Sequence, residues 1–145
     1  IKTYGLEPIP LGYIIAGEGG SAGVIGRAFP IPYEKPELAC AYALAAQYFG
    51  MRFVYLEAGS GAHSPISCEM IKMVKKAIDI PLIVGGGIRS SEQVREIVCA
   101  GADIIVTSTI LEESKKGEVR GRLTDIMQGI KDGVNKRIGN KGGQL

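Results

Sequence analysis

The chain has 145 residues, enough for one domain with a real core, and its 46% hydrophobic and 22% charged content excludes a disordered polymer. A formal net charge of +2, from basic residues scattered along the chain, is too small to argue for a nucleic-acid partner. Neither a signal-peptide pattern nor an apolar run long enough to cross a bilayer is seen within it, so a cytoplasmic location is expected.

The opening Ile1-Lys2-Thr3-Tyr4-Gly5 reads as the frayed end of a helix, as if the chain were cut from a larger protein. After the stiff Glu7-Pro8-Ile9-Pro10, a first strand is predicted over Leu11–Ala16. A glycine-rich loop, Gly17–Gly26, leads to a helix with Pro36 at its first position. Leu38, Ala39, Tyr42, Ala45, Ala46 and Phe49 form its apolar stripe, and Gly50 closes it. The second strand, Arg52–Glu57, runs into Ala58-Gly59-Ser60-Gly61. Ser64-Pro65 marks the next helix start, with Ile66, Met70, Ile71, Val74, Ala77 and Ile78 buried. A third strand is predicted over Pro81–Gly85. Ser90 and Gln93 make a capping box for a helix carrying Val94, Ile97 and Val98, which Gly101 ends. The fourth strand is Asp103–Thr107, and the last helix shows Leu123, Ile126, Met127, Ile130 and Val134 on one face. Residues 139–145 read as a flexible tail after a domain of residues 1–138. Cys40, Cys68 and Cys99 lie in helical patterns without metal spacing, and are expected to be buried thiols in a reducing compartment.

Strands apolar on both faces, each followed by a helix, mean an α/β fold with a parallel sheet. Four such units are half of a (β/α)8 barrel. A half-barrel leaves open edges and a half-covered core, so another half is expected to complete it. A doubly wound sheet competes, but no tight G-x-G-x-x-G follows the first strand.

Chemistry concentrates at the strand ends. Gly85-Gly86-Gly87 exceeds what a tight turn needs and lets an anion approach main-chain N–H groups, aided by the positive end of the following helix. Thr107-Ser108-Thr109 offers hydroxyls and amides at the matching turn, although threonines also simply favour strands. Two such turns at the last two strands are the barrel's phosphate grip, so a phosphorylated small molecule is the expected ligand. On the second strand, alternation puts Tyr55 and Glu57 on one side and Leu56 on the other. Glu57, with Tyr55 beside it, is the candidate catalytic pair, a carboxylate able to accept a proton or orient a hydroxyl; the alternative is a glutamate tied to a loop N–H or a lysine. Arg89 either neutralises the anion or is solvated. Glu18 either contacts substrate or is solvated, and Tyr13 either lines the pocket or fills the core. His63, the only histidine, reads as a surface residue rather than a catalyst.

Together Tyr55-Leu56-Glu57-Ala58-Gly59-Ser60-Gly61, Gly85-Gly86-Gly87-Ile88-Arg89-Ser90 and Thr107-Ser108-Thr109 resemble the archaeal geranylgeranylglyceryl phosphate synthase family, in its larger-subunit group. Glu7-Pro8-Ile9-Pro10-Leu11-Gly12-Tyr13 and Tyr42-Ala43-Leu44-Ala45-Ala46 extend the likeness, which runs from about Gly5 to Glu112. The resemblance implies a TIM barrel whose last four βα units are this chain. It implies transfer of a geranylgeranyl group from its diphosphate to the 3-hydroxyl of sn-glycerol 1-phosphate, an ether-forming step of archaeal membrane-lipid synthesis. Glycerol phosphate would be held by Tyr55, Leu56, Glu57, Ala58, Gly59, Ser60, Gly61, Gly86, Gly87, Thr107, Ser108 and Thr109. Mg2+ is implied as cofactor, with ligands on strands of the N-terminal half, so this chain alone is expected to be inactive. That N-terminal half-barrel, geranylgeranyl diphosphate, a homo-oligomer and peripheral membrane contact complete the expected partners. A heptaprenylglyceryl phosphate synthase, a phosphate-binding half-barrel without catalysis, and another phosphate-handling barrel enzyme are the alternatives. The last usually places a lysine or a second acid at strand ends, and no strand here ends in lysine.

Overall fold

The computed structural model describes residues 1–115 and 117–142. Four strands, β1 (Leu11–Ile15), β2 (Phe53–Glu57), β3 (Leu82–Gly85) and β4 (Ile104–Val106), form one sheet in the order β1-β2-β3-β4, every pair parallel. That order decides the architecture. A doubly wound sheet reverses direction at a switch point, whereas a barrel adds each strand beside the last. The chain is therefore four consecutive βα units of a (β/α)8 barrel.

The two faces of the sheet differ more than the sequence suggests. Ile14, Val54, Leu56, Leu82 and Val84 face the helices and are buried. On the other face, toward the barrel axis, Leu11, Tyr13, Ile104 and Val106 remain exposed. Register sets two layers on that inner face: Tyr13 opposite Tyr55, Ile83 and Ile104, then Ile15 opposite Glu57, Gly85 and Val106.

The helices are α1 (Gly20–Gly26), α2 (Pro36–Tyr48), α3 (Cys68–Ala77), α4 (Ser91–Ala100), α5 (Thr109–Glu112) and α6 (Val119–Gly142). The opening segment is one 3-10 turn, Lys2–Tyr4, stopped by Gly5 at φ 63°. Several helices correct the reading above. The supposed loop 17–26 contains α1, where Gly23 is buried against Ile15 and Pro30, so packing overrides a glycine-rich composition. In α2, Pro36 does open the helix, but the buried face is Pro36, Ala39 and Ala43, while Leu38, Tyr42 and Phe49 are exposed. Small residues let α2 approach so closely that a side chain at Gly12 of β1 would meet the Ala46 methyl at 2.7 Å.

Helix α3 starts at Cys68, not at Ser64-Pro65. Ser67 is its cap, its Oγ accepting the Met70 N–H (3.2 Å). For α4 the Ser90 cap stands, Oγ accepting from Gln93 N–H at 3.3 Å, while Gln93 Oε1 reaches one residue further back, to the Arg89 N–H (2.7 Å). The buried side of α6 is Ile126, Gly129 and Gly133, with Leu123, Met127 and Val134 exposed. Gly129 rests on the Ser91 carbonyl and Gly133 on Arg95 and Val98, so α6 docks on α4 through a glycine seam. The helix extends to Gly142, and residues 143–145 of the expected tail lie outside the described residues. The three cysteines are free but only partly buried, in α2, α3 and α4.

At the foot of the sheet, away from the glycine turns, Asp103 ties four elements together. It accepts from Lys75 Nζ (2.6 Å) and the Leu82 N–H (2.9 Å), and pairs with Arg137 at 3.5 Å. Burial alone would raise its pKa, but the Lys75 and Leu82 hydrogen bonds and the charges of Lys75 and Arg137 hold it below the usual carboxylate range. A folded pKa below the unfolded one contributes stability that is present above the unfolded value, about 3.9, and is lost as pH falls through the folded value. Asp103→Asn is therefore expected to lower the melting temperature at neutral pH and to flatten its decline below about pH 4, read from thermal melts across pH.

Candidate functional site

The C-terminal ends of β2, β3 and β4 converge on a cavity of about 110 Å³. Tyr55 and Glu57 form one wall, Gly86 and Gly87 the second, and Thr107, Ser108 and Thr109 the third. Ser60 reaches in from the β2–α3 loop. Ile88 and Val106 complete the lining; neither stands out in the sequence, because an apolar residue flanking a glycine turn or closing a strand looks like ordinary core.

The three consecutive glycines answer three separate contacts. The Tyr55 phenol occupies the space where a Gly85 side chain would stand. A methyl on Gly86 would lie 2.6 Å from Gly59 N and 2.8 Å from Glu57 Oε1, and one on Gly87 would lie 2.6 Å from the Ser64 carbonyl. Gly86 and Gly87 also have φ of 84° and 68°, the left-handed region that glycine alone enters freely. Their amides stay free. Among the described residues, no hydrogen bond of the chain engages the main-chain N–H of Gly86, Gly87, Ser108 or Thr109. An unpaired N–H beside a cavity is a donor in want of an acceptor, and a phosphate supplies several. The helices that follow the two turns are α4, whose first turn is capped by Ser90, and α5, a single turn that begins at Thr109.

Glu57 is buried, with 7% of its surface exposed. Its Oε1 accepts the Gly59 N–H (2.8 Å) and its Oε2 the Tyr13 hydroxyl (3.1 Å). The tie to a loop N–H is therefore present, yet it leaves the carboxylate on the cavity wall with further lone pairs on both oxygens. Tyr55 stands edge-on to Tyr13, ring centroids 4.8 Å apart. Burial first, and then the Glu57 carboxylate, push both phenols up, Tyr13 to about 12 and Tyr55 further, so both are protonated donors at neutral pH.

The remaining expected residues hold the loops. Leu56 and Ala58 are fully buried, so only their main chain faces a ligand. Gly59 packs backbone to backbone on Gly20, and Gly61 is exposed. Arg89 does not line the cavity. Its guanidinium donates to the Gly61 and Ala62 carbonyls (3.3 Å each) and pairs with Glu113 at 3.8 Å, bracing the β2–α3 loop against α5. Glu18 accepts the His63 N–H (3.2 Å), and the Tyr33 hydroxyl donates to the Ser64 carbonyl (2.9 Å). Loops after β1, β2 and β3 are thereby locked to one another.

A model of the PcrB family matches residues 1–128. The geranylgeranylglyceryl phosphate synthase of Pyrococcus furiosus is 60% identical over 131 residues, 90% of this chain and 52% of that protein. The synthase of Pyrococcus abyssi is 58% identical over 132 residues, with the same coverage of 90% and 52%. The crystal structure of (S)-3-O-geranylgeranylglyceryl phosphate synthase from Thermoplasma acidophilum, in complex with sn-glycerol-1-phosphate, superposes with a TM-score of 0.83 at 44% identity, covering 88% of this chain and 51% of that one. The chain thus spans about half the length of the relatives it matches.

Proposed function

The chain belongs to the PcrB family, and from that membership we propose that it is the C-terminal half of an enzyme joining a geranylgeranyl group to the 3-hydroxyl of sn-glycerol 1-phosphate. The observation that carries the reading is the cavity itself: free amides on two neighbouring strand tips lie across from a buried carboxylate. One end suits a phosphate dianion and the other a hydroxyl, which are the two ends of glycerol phosphate. The bound substrate of the Thermoplasma acidophilum relative supports the same choice.

In this mechanism the phosphate docks on the amides of Gly86, Gly87 and Ser108, with the hydroxyls of Ser108 and Thr109 as added donors. The loop Tyr55–Gly61 wraps the glycerol. Glu57 accepts the hydrogen of the 3-hydroxyl as that oxygen bonds to the allylic carbon of the donor. The bond from that carbon to the diphosphate breaks, and pyrophosphate leaves with the electron pair. Mg2+ is part of the proposal only through the preceding half of the barrel. Among the described residues, no group of three or more His, Cys, Asp or Glu side chains is placed to hold a metal ion.

Calorimetry and product assay on the full-length barrel test this. Glycerol phosphate is expected to bind and glycerol not, because the free amides serve the phosphate. Ether product is expected only when this chain is joined by the preceding half, supplied on the same chain or separately. Equal binding of glycerol and glycerol phosphate would overturn the phosphate grip. Binding without any prenyl transfer would leave a phosphate-binding half-barrel as the function.

A further inference from the structure

Tyr13 lies on the inner face of β1, opposite Tyr55 in the register and diagonal to Glu57. Among the described residues two well-formed hydrogen bonds reach the Glu57 carboxylate, from different elements on different oxygens, Gly59 N–H on Oε1 at 2.8 Å and the Tyr13 hydroxyl on Oε2 at 3.1 Å, with the Tyr55 phenol also close enough for the carboxylate to raise its pKa. With Gly59 alone, the carboxylate could swing about the Oε1 contact. With both donors, its plane and its rotamer are fixed. We propose that Tyr13 is a positioning residue for Glu57, holding the carboxylate so that its free lone pairs face the hydroxyl of the bound headgroup.

The inference rests on the reading of Glu57 as the proton acceptor. Three features support it. The Tyr13 phenol is itself held, edge-on against Tyr55 at 4.8 Å and 67°. Tyr13 keeps its proton at working pH, so it donates throughout. Tyr13 also borders a second cavity of about 260 Å³, lined with it by Ile15, Phe29, Ile31 and Tyr42, whereas it is absent from the lining of the cavity that holds Glu57, so its link to that cavity is the hydroxyl contact with the carboxylate. The groups facing Glu57 are Tyr13 from β1, Tyr55 from its own strand, and the main chain of Gly59 and Gly86; no ion pair to its carboxylate exists among the described residues.

The test uses the full-length barrel with Tyr13→Phe, Glu57→Gln and both together. Phenylalanine keeps the ring contact and removes only the hydroxyl. If Tyr13 acts through Glu57, Tyr13→Phe lowers kcat roughly tenfold, the size of one lost orienting hydrogen bond, and leaves calorimetric affinity for sn-glycerol 1-phosphate within about twofold. The double variant then equals Glu57→Gln alone, because there is no base left to position. A double variant slower than Glu57→Gln by the full Tyr13→Phe factor would overturn the proposal, since Tyr13 would then act on substrate directly. So would a Tyr13→Phe protein at the original kcat, or one that loses substrate affinity. Full activity in Glu57→Gln would instead sink the reading of Glu57 itself, and the two failures are told apart by which single variant is silent.

Discussion

Glu57→Gln in the full-length barrel is expected to reduce kcat by roughly a thousandfold, with the dissociation constant for sn-glycerol 1-phosphate changed by no more than about threefold. Glutamine has the same length and volume. Its Oε1 can still accept the Gly59 N–H, and its amide group can meet the Tyr13 hydroxyl, which turns from donor to acceptor. The wall of the cavity therefore keeps its shape. What is lost is the negative charge that, in the proposed mechanism, takes up the hydroxyl hydrogen as the ether bond forms. The turns after β3 and β4, to which we assign the phosphate, lie across the cavity and are untouched. A matching loss in kcat and affinity would mean that Glu57 serves binding, and an unchanged kcat would remove it from the reaction.

This placement of Glu57 was legible because strand alternation is rigid. Once Leu56 is assigned to the helix side, Tyr55 and Glu57 have only one face left. The parallel sheet and the glycine turns were legible for the same kind of reason, namely that each is a local pattern with a fixed period or a fixed backbone demand. The helices were less so. In α2 and α6 the stripes read from the sequence rightly held Ala39 and Ile126, yet they also took in large residues that stay exposed and passed over Ala43, Gly129 and Gly133, where close contact is made. A hydrophobicity pattern weights side-chain size, whereas interaxial distance rewards its absence. In the half-barrel seen here Leu38, Tyr42, Leu123 and Met127 stay exposed. Helix α1 was hidden by its glycines, and the start of α3 by two serines, Ser64 and Ser67, each suited to cap a helix. Only the fold shows that Ser64 is needed elsewhere, its carbonyl lying between Tyr33 and Gly87. Tyr13 could not be decided for a different reason. Alternation gives its face, but its reach to Glu57 depends on the register of β1 against β2, which is a nonlocal property.

Gly86→Ala is expected to have the second large effect, for reasons the backbone alone supplies. At φ 84° an alanine carries a left-handed strain of about 1–2 kcal/mol. Its methyl would stand 2.6 Å from Gly59 N and 2.8 Å from both Glu57 Oε1 and the Gly59 carbonyl. None of these is the end of a flexible chain: two are backbone atoms, and the third is the oxygen that accepts the Gly59 N–H. Relief requires the β3 turn to move away from the β2 loop. That motion carries the Gly86 and Gly87 amides off the proposed phosphate position and loosens the wall that packs on Glu57. Affinity for sn-glycerol 1-phosphate should fall at least about a hundredfold, as expected when two charge-assisted hydrogen bonds are lost, and the melting temperature should drop by several degrees. Gly26→Ala is the matched control. Gly26 lies in the last turn of α1 with nothing within 4 Å of an added methyl and no positive φ, so both affinity and melting temperature should hold or rise slightly. If Gly86→Ala bound glycerol phosphate as tightly as that control, the amides at this turn would not be what grips the phosphate.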